Sequence, residues 1–136
     1  MTKTKKRQTM KEYVLKNDDF LVSQTDSKGT IIFANDDFCA IAGYSIDELV
    51  GKPHNIVRHK DMPKAAFKDL WDTVKNDKIW SGYVKNRTKD GGYYWVYATI
   101  YPIYDETRKE KTYLSCRRKP SQKEIDEAQM LYKTFK

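Results

Sequence analysis

Between Pro53 and Pro63 the chain gathers both of its histidines, His54 and His59, together with Arg58 and Asp61. Arg58 can meet a phosphate with two donors of its guanidinium, which a lysine does less well. Either imidazole could in principle ligate a haem iron. The plainer chemistry is an Arg58–Asp61 ion pair that pins a loop and is worth little where exposed, with His54 packing or capping just inside a proline-started turn. Two prolines and this density of charge make the segment too polar and too interrupted for a core helix. It is expected to line something. Cys39 and Cys116 have no close-spaced partner, so neither a zinc site nor a disulfide framework is indicated, and both are expected to be reduced and packed as small hydrophobes. The sequence holds no glycine-rich nucleotide loop, no nucleophile-and-base constellation and no metal-spaced ligands, which argues against an enzyme and assigns no catalytic or metal residue.

The elements around this segment are easily read. Ser45 and Glu48 have capping-box spacing, Tyr44 and Leu49 flank them as a hydrophobic staple would, and Gly51 and Pro53 stop the short helix that begins there. Beyond the segment, Phe67, Leu70, Trp71 and Val74 form the stripe of an amphipathic helix, entered through Asp61 to Pro63 and left through Lys75 to Asp77. Upstream, Phe20 to Asp26 and Thr30 to Ala34 read as antiparallel strands joined by a turn at Ser27-Lys28-Gly29. Asn35, Asp36 and Asp37 can cap the next helix, whose Phe38, Ile41 and Ala42 face inward before Gly43 ends it.

Two longer strands, Trp80 to Lys89 and Tyr93 to Tyr104, meet at Asp90-Gly91-Gly92, a strong hairpin signal. Tyr94, Val96, Ala98 and Ile100 make the smaller face of the second strand, which leaves room inside the domain. Tyr93, Trp95, Tyr97, Thr99 and Tyr101 make an outward aromatic face, too large to stay solvated and expected to be covered by the N-terminal cap, a second copy or a partner. Lys111 to Arg117 alternates as a fifth strand. After Pro120, Ser121 and Glu124 again cap a helix, with Ile125, Ala128, Tyr132 and Phe135 on one stripe. That helix either leaves the domain to pair with another helix or folds back on its own sheet.

The 136 residues have room for one domain with a modest core and short extensions. Hydrophobic residues make up 39% and charged residues 33%, with no apolar run long enough to cross a bilayer and no signal peptide; a cytoplasmic location is expected. The net charge of +7 is concentrated in Lys3, Lys5, Lys6, Arg7 and Lys11, and a solvated tail is preferred to a nucleic-acid or membrane-binding surface. Residues 1 to 9 are expected to be disordered and Met10 to Leu15 to form a helical cap.

Asn35-Asp-Asp-Phe38, Gly43-Tyr44, Glu48-Leu49, Gly51, Pro53 and Trp80-Ser-Gly82 resemble the landmarks of a PAS sensor domain, and Pro53 to Trp71 resembles the Aer/CetB group of bacterial energy-taxis sensors, whose PAS domains hold FAD non-covalently. The resemblance covers about residues 18 to 120. It implies an α+β fold, a five-stranded antiparallel sheet with short helices over one face and terminal helices. The expected organisation is a basic tail and cap over 1–17, the PAS domain over 18–120 and an exit helix over 121–136.

For a flavin, the resemblance implies that Arg58, His59 and Asp61 hold the cofactor. The needs of the ring and its pyrophosphate nominate Trp71 and Trp80 for stacking and Asn35 and Asn86 as amides for the polar edge. For Asn35 a plain helix cap is at least as good a reading, Trp71 could equally be core, and Lys85 or Arg87 could screen phosphates. The implied function is a redox sensor that signals to a chemotaxis receptor or signalling domain, with homodimerisation through the sheet face or terminal helices as an option. It would bind no nucleic acid and insert in no membrane. The competing readings are a PAS sensor for haem or another small ligand and a cofactor-free interaction module. No membrane anchor or long coiled coil accompanies the domain, so the chain is either cut from a larger receptor or a separate sensor that docks on a membrane partner.

Overall fold

Alternation of inward and outward side chains decides the sheet. In β1 (Leu21–Thr25) Leu21, Ser23 and Thr25 are buried, and in β5 (Glu110–Arg118) Thr112, Tyr113, Ser115 and Arg117 are. The computed structural model describes residues 11–135, and the expectations for residues 1–10 lie outside them. With β2 (Ile31–Ala34), β3 (Trp80–Arg87) and β4 (Tyr93–Asp105), these strands form one five-stranded antiparallel sheet in the order β2-β1-β5-β4-β3. The α+β architecture expected from the sequence is the one observed.

Three helices and a 3-10 turn cover the inner face. Asn35 caps α1 (Asp36–Ala42), which ends at Gly43 in the left-handed region (φ 81°), where a Cβ would be strained. Ser45 and Glu48 close the expected capping box on α2 (Ile46–Leu49). The polar segment then makes a 3-10 turn (His54–Val57) and an extended stretch in which Arg58 bridges to Asn86 of β3. From Pro63 runs α3 (Lys64–Lys75), burying Ala66, Leu70 and Val74, with Phe67 and Trp71 half-buried beside them. The buried stripe is thus rotated by part of a turn from the expected one. Leu21, Ile31, Phe38, Leu49, Val57, Val74 and Val96 are almost fully enclosed, each side chain contributing about 1.5–3 kcal/mol.

Two expectations about the ends are corrected or decided. Lys11 to Leu15 is extended rather than helical: the Tyr13 N–H donates to the Tyr93 carbonyl and the Tyr93 N–H to that of Lys11. Gly92 permits this approach, since a Cβ there would stand 2.5 Å from the Lys11 carbonyl oxygen. At the other end, α4 (Gln122–Tyr132) does not leave the domain but folds back over the outer sheet face. Its Ile125, Ala128 and Tyr132 cover Trp95, and with Tyr83 and Tyr93 they make a second small core. Trp95 and Tyr93 of the aromatic face are thus covered by the chain's own helix, while Tyr97, Thr99 and Tyr101 stay partly exposed. No described helix is long and apolar enough to cross a membrane.

Candidate functional site

Between the inner sheet face, the 3-10 turn and α3 lies a cavity of about 450 Å³. Its apolar walls come from Phe67, Leu70 and Trp71 on α3 and from Val84, Ala98 and Ile100 on β3 and β4. The small Ala98 opens the hollow, as the alternation of β4 had indicated. Trp71 is held edge-on against Tyr113, with ring centroids 5.3 Å apart at 84°. Among the described residues four cations line the cavity, Lys28, Arg58, Lys75 and Arg117, and no carboxylate does.

Arg58 is positioned by two interactions. Its backbone bridge to Asn86 fixes the polar segment on the sheet, and its guanidinium lies 4.0 Å over the Phe67 ring. Neither uses its charged hydrogen-bond donors on a carboxylate. The same side chain lines a second hollow of about 400 Å³, which adds His59, Lys60, Lys64 and Arg87. Asp61 stands beside this second hollow rather than in the cavity. It pairs with the Lys85 ammonium at 2.9 Å, and that hydrogen bond holds its carboxyl below the usual carboxylate range. The His59 Nδ1 accepts the Asp61 backbone N–H at 3.0 Å, and burial followed by the charge of Lys85 pushes its pKa down. A neutral His59 therefore shapes the loop instead of forming an ion pair with Asp61 at 3.7 Å. The plainer alternative, an Arg58–Asp61 ion pair, is absent among the described residues; Lys85 takes the carboxylate.

Of the seven residues nominated from the sequence, Arg58, Trp71 and Asn86 meet at the cavity, and His59 lies across Arg58 in the adjoining hollow. Trp80 and Asn35 do not reach either. The Trp80 indole donates to Asp69 at 2.9 Å and lies over Gly82, where a Cβ would stand 2.5 Å from the ring. The Asn35 Oδ1 accepts the N–H groups of Val22 and Phe38, and its Nδ2 donates to the Phe20 carbonyl at 2.8 Å. These three bonds use that amide to join β1 to α1.

The sequence reading passed over a buried polar cluster. Arg117 is 2% exposed; its Nη2 donates to Ser23 Oγ at 2.7 Å and its Nη1 to His54 Nε2 at 3.2 Å. Ser23 Oγ lies 3.0 Å from the same nitrogen and can donate to it. Burial, then the charge of Arg117, lowers the His54 pKa to about 3, so the imidazole stays neutral with its lone pair toward Arg117. The signal was present in β5, where alternation puts Arg117 on the same side as Tyr113 and Ser115. A cation at an inward position of a strand marks a site. No cluster of potential metal ligands occurs among the described residues, and His54 Nε2 is engaged.

A family model for the PAS fold matches residues 31–116. The chain is 46% identical over 93% of its length to an aerotaxis receptor of Escherichia coli, of which it spans 25%. It is 30% identical over 71% of its length to a nitrogen fixation regulatory protein of Klebsiella oxytoca, of which it spans 20%. Among solved structures, a light-oxygen-voltage domain studied with a flavin analogue superposes with a TM-score of 0.68 at 20% identity, over 83% of this chain and 84% of that one. A PAS domain from Colwellia psychrerythraea gives 0.66 at 25% identity, over 76% and 87%. With the sheet order, the helices over one face and the hollow beneath them, these matches place the chain in the PAS family, similar to the corresponding quarter of an aerotaxis receptor.

Proposed function

We propose that this domain binds FAD non-covalently in the cavity and serves as a cytoplasmic redox sensor for a chemotaxis receptor or signalling domain, not as an enzyme. The observation that carries the reading is the pairing of an aromatic and aliphatic slot with four lining cations and no carboxylate. A planar ring with an anionic tail fits that chemistry. Trp71 and Phe67 would flank the ring and Asn86 would meet its polar edge. Arg58, shared by both hollows, would meet the pyrophosphate, with Lys60, Lys64 and Arg87 adding charge beyond it. His59 and Asp61 would act by holding that loop, through Lys85, in the conformation that presents Arg58. The similarity to an aerotaxis receptor and the flavin analogue named with a light-oxygen-voltage domain support this choice of ligand. When bound, the flavin supplies reversible electron uptake.

The chain's own part is to convert a change of charge in the cavity into a change at its surface. β3 and β4 connect the two places: Val84, Asn86, Ala98 and Ile100 line the cavity, while Tyr83 and Trp95 on the opposite face hold α4. The Tyr83 hydroxyl donates to Glu124, and the Tyr132 hydroxyl donates to the Tyr83 carbonyl. A shift of these strands alters the seat of α4, and only a difference in interaction with the two redox states can drive it. Titration of the ligand-free protein with FAD, FMN and riboflavin tests the reading. FAD is expected to bind tightest, and reduction of the complex to change the rate at which protease cleaves α4. Equal, weak binding of all three contradicts the reading.

A further inference from the structure

Arg117 has more donors than the protein satisfies. Two of its nitrogens reach neutral acceptors, Ser23 and His54, and the Phe38 ring lies 4.3 Å from the guanidinium carbon. Its Nε has no partner, and among the described residues no carboxylate pairs with it. The other buried orphan is the Tyr94 hydroxyl, on the residue paired across the sheet with Asn86. Arg117 lines the cavity together with Asn86, whereas Tyr94 is not among its lining residues. Buried cations are normally paired, because desolvation penalises a charge left alone, and an unsatisfied buried donor is equally unfavourable. Burial lowers the Arg117 pKa to about 10, which still leaves it charged at neutral pH. Arg117 therefore brings to the cavity lining a fixed positive charge that no carboxylate of the described residues offsets.

We propose that Arg117 is the residue through which the site reads its ligand's charge: its guanidinium, offset by no carboxylate, favours a flavin ring that has become more negative on reduction. This rests on the flavin reading above. A ring that takes two electrons from a low-potential donor and one proton from water gains one net negative charge. That charge is set against the guanidinium. Ser23 and His54 are positioning residues: they hold the side chain by acceptors that bring no negative charge of their own, so the cation stays uncompensated until the ligand supplies the counter-charge. A carboxylate in either place would blunt the response.

The test compares wild type, R117Q and R117K in two measurements. In the first, each protein is reconstituted with FAD and reduced with dithionite against a reference dye. R117Q is expected to bind oxidised FAD within about tenfold of wild type, while its affinity for the reduced form relative to the oxidised falls by about tenfold or more. For a two-electron couple that is a potential about 30 mV more negative. R117K, which keeps the charge, is expected to lie between the two. A potential unchanged in R117Q overturns the proposal. In the second, the ligand-free proteins are melted without flavin. R117Q is expected to melt no lower than wild type, because it removes an unpaired buried charge, and to gain less on adding FAD. If ligand-free R117Q melts lower by as much as the FAD-loaded protein does, Arg117 is a structural pin and the proposal fails. Should wild type take up no FAD, the functional reading falls by itself, and the ligand-free melts still decide whether Arg117 is an uncompensated charge facing a ligand.

Discussion

The two faces of the sheet use the same strands to opposite ends. On the outer face, Trp95 stacks with Tyr132 at 6.5 Å, Ile125 and Ala128 fill the space around it, and the polar tips of Tyr83 and Tyr132 are paired. On the inner face, Ala98 withdraws from its neighbours, a hollow of about 450 Å³ is left, and cations line it without carboxylates. A surface that spends its side chains on one another contributes stability. One that leaves volume and charge unmatched has been shaped for something else. Close packing is the norm in protein interiors, so the contrast within a single sheet sets the inner face apart and supports the proposed binding there without reference to any relative.

The largest expected effect that separates the faces is on stability. Trp95→Ala removes the centre of the outer cluster and should cost about 3–5 kcal/mol, measured by urea denaturation. In the protein that remains folded, FAD affinity should change only a few-fold. If binding fell in step with stability, the faces would not be separate. The mirror experiment is Ala98→Leu, which fills the inner hollow. FAD affinity should fall by a hundredfold or more, about 2.7 kcal/mol, with the urea midpoint unchanged or raised. An unchanged affinity would show that the ring does not lie there.

Smaller effects sharpen the picture. Arg58→Gln should weaken FAD binding by ten- to a hundredfold, from the loss of about 1.5–3 kcal/mol of charged hydrogen bonding, and Arg58→Lys should recover only part of it because the paired donors are lost. Calorimetric titration reads both. Acid comes next. His54 titrates near 6.5 when unfolded but near 3 when folded, so between those values the unfolded chain binds the extra proton. Stability is therefore fully present above pH 6.5 and falls as pH drops below it. His59, also lowered, acts in the same direction, whereas the stability from the lowered carboxylates of Glu48, Asp61, Asp90, Glu110 and Glu124 is present at neutral pH and is lost only as pH falls further, below the usual carboxylate range. His54→Asn should flatten the denaturation midpoint between pH 6.5 and 5; an unaltered slope would mean that His54 is not buried neutral. Smallest of all, Tyr83→Phe should cost about 1 kcal/mol and loosen α4, seen as faster proteolysis there.

Much of this was legible in the chain. Capping boxes at Ser45 and Ser121, the Asp90-Gly91-Gly92 hairpin and the alternation of β4 depend on neighbours in sequence, and all three stand in the structure. Arg58 and Trp71 line the cavity, but the resemblance and the needs of a flavin ring nominated them; the local patterns gave only the proline-bracketed loop and the helix stripe on which they sit. Trp80 and Asn35 are instructive failures of placement. An indole two positions before a glycine can fold over that glycine, and an amide at a strand–helix joint can be engaged by three backbone groups; neither outcome shows in residue type. Arg117 was missed for the converse reason. Its importance comes from Ser23 and His54, partners far away in sequence, although its inward position could have been read from the alternation of β5. The helical cap expected up to Leu15 gave way to pairing with Tyr93, a long-range contact no local propensity encodes.

The central claim is that the inner hollow holds a flavin. Its most direct test is the visible absorption spectrum of protein purified under native conditions, followed by denaturation and chromatography of what is released. Flavin bands, with FAD set free at about one equivalent per chain, are the predicted result. A Soret band, or a colourless protein that acquires no flavin spectrum when incubated with excess FAD, would contradict it.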